Sequence, residues 1–309
     1  MKKKGFTLVE LLVVIAIIAL LMGILMPALA RVRQLAFRMT CGTNLSGIGK
    51  AMLLYANDYQ DELPRTGGRN TQWGAVTNWM ATNRMAAFGL DAQGSGGSAS
   101  ISSCFYLLVK YTEVTPKSFI CKGDAGTTEF KLSELSAAPT ADFELIDAWD
   151  FGPMADAYKH CSYSYHVPFG MYALTTSSEP GFACAADRNP FLISPASSAR
   201  DISTFTPDLP AAGYSGTSET AKQGNANAHQ LDGQNVMFLD THVTFEKRAF
   251  CSIEDDNIYL VSANPLKGDA KGTMPTPPTV QIMSRKDSVL VQDPDQFGGG
   301  GTAARATRS

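Results

Sequence analysis

The chain has 309 residues, 44% hydrophobic and 18% charged, with a formal net charge of −3. That hydrophobic share supplies a core for one large or two small folded units and excludes a disordered chain, while the acidic balance excludes the basic footprint of a nucleic-acid-binding protein. Six cysteines, at 41, 104, 121, 161, 184 and 251, include no Cys-x-x-Cys pair, which argues against a zinc ribbon or a thioredoxin-like redox site.

In chain order, Lys2-Lys3-Lys4-Gly5 comes first, followed by Phe6-Thr7-Leu8-Val9-Glu10 and an apolar run over residues 11–30. As a helix at ~1.5 Å per residue, that run is about 30 Å long, the thickness of a bilayer hydrocarbon core. Residues 6–30 therefore read as a single membrane span, with the amino end in the cytoplasm. The charge bias behind this orientation is weak, because three lysines precede the span and Arg31 and Arg33 follow it. Glu10 is the anomaly, since a carboxylate in hydrocarbon is costly and its retention calls for a partner. A secretory signal cleaved near Ala30, or an uncleaved anchor, explains neither Glu10 nor Gly5-Phe6.

Residues 31–60 continue the helix with one apolar face. Cys41, Leu45, Ile48, Met52, Tyr55 and Tyr59 recur at spacings of three and four, with Arg38, Thr43, Asn44, Ser46 and Lys50 opposite. Gly42, Gly47 and Gly49 each cost ~1 kcal/mol relative to alanine and mark a place for a bend or fray. Pro64 and Gly67-Gly68 end the element, so the fold class is α+β: a long helix carrying a head at 61–292 built on an antiparallel sheet. The glycine- and serine-rich stretch 94–103 reads as a surface loop, and the proline-dense region to 216 as short strands. Residues 293–309 read as a disordered tail.

A hairpin closes the head. With Asp240-Thr241 as a two-residue turn, Phe238 opposes Val243 and Val236 opposes Phe245, which puts four apolar side chains on one face. Thr241 is a poor choice for positive φ, so a longer turn remains open. The cysteines follow the span and so lie in a disulfide-permissive compartment on this topology, with one to three bridges expected and 15 full pairings open.

The leader, Gly5-Phe6 and Glu10 together closely resemble the class III signal of type IV pilins and type II secretion pseudopilins. This resemblance implies cleavage between Gly5 and Phe6 by a prepilin peptidase and N-methylation of Phe6. It also implies that Glu10 neutralises the Phe6 amine of a neighbouring subunit, and that an assembly platform and ATPase drive extraction of the chain from the inner membrane. The implied location is a single-pass bacterial inner-membrane protein with a periplasmic head, incorporated into a filament. Pro27 stands where many pilins carry a helix-bending proline.

Residues 30–58, Tyr106-Leu107-Leu108-Val109, Phe119-Ile120-Cys121, Cys161-Ser162-Tyr163-Ser164-Tyr165, Ala186-Asp187-Arg188-Asn189-Pro190 and residues 229–236 resemble bacterial pilin-like proteins that carry a C-terminal His-to-Asp-Gly module. Here the module runs from His229 to Asp240 within 229–246, and Thr241 replaces the usual glycine. Asp232, Gln234, Asn235 and Asp240 offer oxygen ligands of the kind calcium prefers, and type II major pseudopilins use a C-terminal calcium site. The plainer reading is a turn at Asp232-Gly233 with no ion. No Gly-x-Ser-x-Gly elbow and no third histidine at ligand spacing accompany His229 and His242, so no enzyme is expected. Tyr163, Tyr165, Trp149 and Phe169 read either as core or as a sugar-binding surface. The function expected is a structural subunit, a minor one given its size. The alternative is a tethered exported protein that binds carbohydrate or calcium.

Overall fold

The computed structural model describes residues 7–68, 70–135, 140, 142–170, 172–208, 215–264, 266–278, 280 and 282–297. Gly5, Phe6 and residues 298–309 of the expected tail lie outside them.

Helix α1 runs unbroken over Leu8–Asp58 with Pro27 inside it. At ~1.5 Å per residue its 51 residues extend about 76 Å. Its first half stands free of the head, and the large apolar side chains from Leu8 to Leu29 are 46–78% exposed. Its second half is packed: Cys41, Leu45, Ile48, Met52 and Tyr55 of the apolar stripe are buried, and Tyr59 at its end is 40% exposed.

The two short helices of interest are α2 (Arg84–Phe88) and α3 (Ile101–Thr112). Strands β1 (Gln72–Trp73) and β2 (Ser98–Ala99) form a small parallel pair. The main sheet uses β3 (Tyr163–His166), β4 (Ala183–Asp187), β5 (Gln234–Phe238), β6 (Val243–Glu246) and β7 (Leu290–Val291). These are antiparallel in the order β6-β5-β4-β3-β7. The head is thus α+β around a five-stranded antiparallel sheet.

The glycine- and serine-rich stretch is only partly a loop. Ser98 and Ala99 pair with β1, and Ser100 caps α3 by accepting from the Ser103 backbone N–H. Apolar Ile101 to Val109 are then buried almost all round, which makes α3 an interior helix.

The hairpin register is shifted by one residue from the expected one. Met237 pairs with Val243, Val236 with Thr244 and Asn235 with Phe245. The Phe238 N–H donates to the His242 carbonyl, leaving Leu239, Asp240 and Thr241 as a three-residue turn, with Thr241 at φ 69°. The third residue of such a turn takes the left-handed region, and Thr241 accepts that cost. The slip divides the four apolar residues between the two faces, because side chains alternate along a strand.

One face carries Tyr163, Tyr165, Ala185, Asp187, Asn235, Met237, Val243 and Phe245 toward α1. The other carries Val236 and Phe238 into a second cluster with Ala183, Ala186, Phe191, Phe205, Phe250 and Leu290. Gly42 and Gly49 permit the helix to approach the first face. A Cβ on Gly42 would lie 3.1 Å from Asn235 Oδ1, and one on Gly49 would lie 2.5 Å from Met237 Sδ. Helix α1 continues through these glycines without a break or fray.

The expected tail boundary at 293 is also corrected. Asp293 is buried and accepts from Trp73 Nε1 and from the backbone N–H groups of Ile101 and Ser102, so the ordered head includes the start of that segment.

Candidate functional site

Two regions carry the chemistry: the free end of α1, and the place where α1 enters the head. At the free end Thr7 and Glu10 form a reciprocal cap. Thr7 Oγ1 accepts from the Glu10 N–H at 3.3 Å, and Glu10 Oε2 accepts from the Thr7 N–H at 2.9 Å and its hydroxyl at 2.7 Å. A helix start leaves orphan N–H groups, and this pair satisfies two of them. Beyond Arg31 the apolar side chains do not stop: Val32, Leu35 and Met39 are 61%, 55% and 75% exposed.

At the entry point, the turn that ends the His229 segment grips the helix. Asp232 forms an ion pair with Arg38, whose guanidinium carbon sits 4.5 Å from the centre of the Phe245 ring, and Gln34 donates to Gln230 at 2.8 Å. Gln230 and Leu231 have φ of 58° and 65°, and Gly233 has 150°. A Cβ on Gly233 would fall 2.2 Å from the Glu246 carbonyl oxygen, so the glycine lets the turn pass against β6.

Directly behind this turn, Cys41 of α1 is joined to Cys121, which follows α3, across 80 residues. Closing a loop of that length stabilises the fold by about 4–5 kcal/mol in the chain-entropy account. Cys104, Cys161 and Cys184 are free and buried, and burial pushes each thiol up to about 12. His229 Nε2 lies 3.1 Å from Asp187 Oδ2, 3.1 Å from Asn235 Nδ2 and 4.0 Å from Cys121 Sγ. Tyr163 donates its hydroxyl to the Cys41 carbonyl at 3.3 Å.

The oxygen-bearing residues of the module do not converge. Asp232 faces Arg38, and the Gln234 amide donates to the Arg248 carbonyl at 2.7 Å. Asn235 points the opposite way, donating to Asp187 at 3.1 Å, and Asp240 sits at the exposed hairpin turn beside His242. His229 and Asp240 likewise lie at opposite ends of β5. The aromatic set behind the sugar-binding reading is core: Tyr163 and Tyr165 are 1% exposed, Trp149 and Phe169 8%. Their rings are spent on packing, such as Phe105 against Tyr165 at 5.2 Å.

Sequence reasoning assigned no chemistry to Asp187, nor the Cys41 to Cys121 pairing. The available signal was the polar run Asp187-Arg188-Asn189 directly after a short apolar stretch, since such residues are buried only when paired. Arg188 Nε does pair with Asp124 at 2.9 Å, and Asn189 donates to the Tyr259 and Leu290 carbonyls.

Residues 1–26 match the family described as the prokaryotic N-terminal methylation motif. No curated protein and no solved structure matches the chain. The motif, the long apolar helix and the β-sheet head fit a type IV pilin-like protein. Proteins with a prepilin motif are processed by prepilin peptidase and assemble with other pilins, and the apolar helix supports membrane anchoring.

Proposed function

We propose that this chain is a structural subunit, of the minor or specialised kind, in a type IV pilus or a type II secretion-like pseudopilus. Prepilin peptidase would cleave between Gly5 and Phe6 and methylate the Phe6 amine. The span 6–30 would hold the subunit in the inner membrane, amino end cytoplasmic and head outside, until an assembly platform and its ATPase draw it into a filament. The role is structural rather than enzymatic.

The observation that carries this reading is the uncovered apolar surface of α1. It extends from Leu8 through the length a bilayer would cover and continues past Arg31 to Val32, Leu35 and Met39. A plain membrane anchor has no use for apolar side chains on the aqueous side of its flanking arginines; helices packed side by side in a filament do. Glu10 would serve twice. In the single chain it caps Thr7, and in the filament it would pair with a neighbour's Phe6 amine.

Mass spectrometry of the mature amino terminus tests the processing: it should begin at methylated Phe6, and an intact Met1 in cells that contain the peptidase would overturn it. Glu10→Ala tests the assembly. It should ease insertion by up to roughly 2.5–3.5 kcal/mol if the site lies in hydrocarbon, yet reduce recovery in sheared filaments. Incorporation equal to the unaltered chain would remove the role assigned to Glu10.

A further inference from the structure

The Cys41 to Cys121 crosslink is surrounded by more polar chemistry than a crosslink requires. One ligand atom from each of Cys41, Cys121, Asp187 and His229 lies within 4.8 Å of every other, and all four residues are buried. Asp187 Oδ2 is well supplied, accepting from the Asn235 backbone N–H at 2.6 Å and its side-chain amide at 3.1 Å, with His229 beside it. Its other oxygen, Oδ1, is buried and has no hydrogen-bond partner among the described residues. Both oxygens of buried Asp293, by contrast, accept hydrogen bonds, from Trp73 Nε1 and from the backbone N–H groups of Ile101 and Ser102, and the charge of Asp124 is offset by the Arg188 guanidinium beside it. An open acceptor on a fully buried carboxylate is costly, and a cation is one of the few things that repays it.

We propose that, when Cys41 and Cys121 are thiols, the head binds one divalent cation of the zinc class. The ligands are the two thiolates, Nε2 of His229 and the carboxylate of Asp187. Two sulfurs, one imidazole and one carboxylate make a closed four-ligand set suited to a structural tetrahedral site. Asn235, donating to the ligating carboxylate, acts as the outer support that orients it. Binding releases the two thiol protons to water, and the cation's double charge meets two thiolates and one carboxylate.

Oxidation ends this state. The two thiolates pass two electrons to a disulfide-bearing oxidant, which takes up two protons and leaves as a dithiol. A bond forms between Cys41 and Cys121 and the cation departs, because the sulfurs cease to be thiolates. In a tetrahedral site with Zn–S of ~2.3 Å the sulfurs stand about 3.8 Å apart, so crosslink and cation exclude each other. The metal form would hold α1 beside the segment after α3 before the crosslink exists. With six cysteines in the chain, that keeps Cys41 next to Cys121 rather than another partner. The proposal is independent of filament assembly.

The test uses the full-length chain in detergent, reduced with a phosphine and freed of metal, then titrated with Co²⁺. One equivalent should bind with thiolate-to-cobalt absorption and tetrahedral visible bands, both lost on adding Zn²⁺, while the oxidised chain shows neither. The double substitution Cys41→Ser/Cys121→Ser should abolish the spectrum. A second measurement needs no variant: Zn²⁺ should slow alkylation of Cys41 and Cys121 in the reduced chain, read by peptide mass spectrometry, without slowing the other four cysteines. No stoichiometric uptake by the reduced chain, uptake that survives the double substitution, or equal alkylation of Cys41 and Cys121 with and without Zn²⁺ would each overturn the proposal.

Discussion

Gly49 lies so close to Met237 that an added Cβ would stand 2.5 Å from the methionine sulfur and 3.3 Å from Thr241 Cβ. Two residues along the same helix, Gly47 has nothing within 4 Å of that position. The two glycines therefore separate packing from propensity. Gly47→Ala should stabilise the chain in detergent by up to about 1 kcal/mol, the intrinsic helix preference for alanine. Gly49→Ala gains the same preference but must displace the buried Met237 side chain and crowd Thr241, and overpacking costs typically about 1–3 kcal/mol. Thermal melts of the two variants should shift in opposite directions.

The corrected register places Phe238 in the cluster behind the sheet, with Val236, Phe191 and Phe205, rather than against Val243. Phe238 is 6% exposed, so Phe238→Ala should cost about 3–5 kcal/mol. Val243 is only partly buried, on the helix side, and Val243→Ala should cost markedly less. In a double-mutant cycle the two should be close to additive, since they lie on opposite faces; a coupling beyond about 0.5 kcal/mol would favour a shared face.

Arg38 and Asp232 should respond unequally. The pair is partly open, with side-chain exposures of 20% and 58%, and ion pairs at that exposure contribute about 0–1 kcal/mol. Asp232→Ala should therefore cost less than about 1 kcal/mol and leave the melt insensitive to calcium. Arg38→Ala also removes a guanidinium stacked on Phe245, worth about 0.5–2 kcal/mol more. A sharp calcium-dependent rise in the melt, abolished by Asp232→Ala, would reverse this ranking.

Stability should fall as pH rises from mildly acidic to mildly alkaline. Burial, with Asp293 nearby, raises the Asp150 carboxyl to about 7; burial, with Asp287 and Asp269 nearby, raises Asp256 to about 8. Both sit above the ordinary carboxyl value of 3.8, so between that value and the raised one the folded chain holds more protons than the unfolded one. Their stabilisation is complete below the unfolded value and is lost as pH climbs through the folded ones, at up to about 1.4 kcal/mol per pH unit for each group. Melts should drop between pH 6.5 and 8, above the ordinary imidazole value of 6.5 from which burial lowers His160 and His166, and Asp150→Asn with Asp256→Asn should flatten that slope.

Features that depend on near neighbours are legible in the chain before it folds. Twenty consecutive apolar residues make a membrane-length helix in any context, and spacings of three and four put Cys41, Leu45, Ile48, Met52 and Tyr55 on one stripe, all buried in the structure. The hairpin was legible for the same reason. Its register was not, because whether Thr241 accepts positive φ depends on what the two sheet faces gain from a one-residue slip. Gly42 and Gly49 read as weak points of a helix until the hairpin, some 190 residues later, occupies the space where their side chains would be. The joining of Cys41, Cys121, Asp187 and His229 was likewise decided only by tertiary structure. Local spacing carries no information about which distant segments a helix and a sheet bring together; only the packing of α1 across β4 and β5 does.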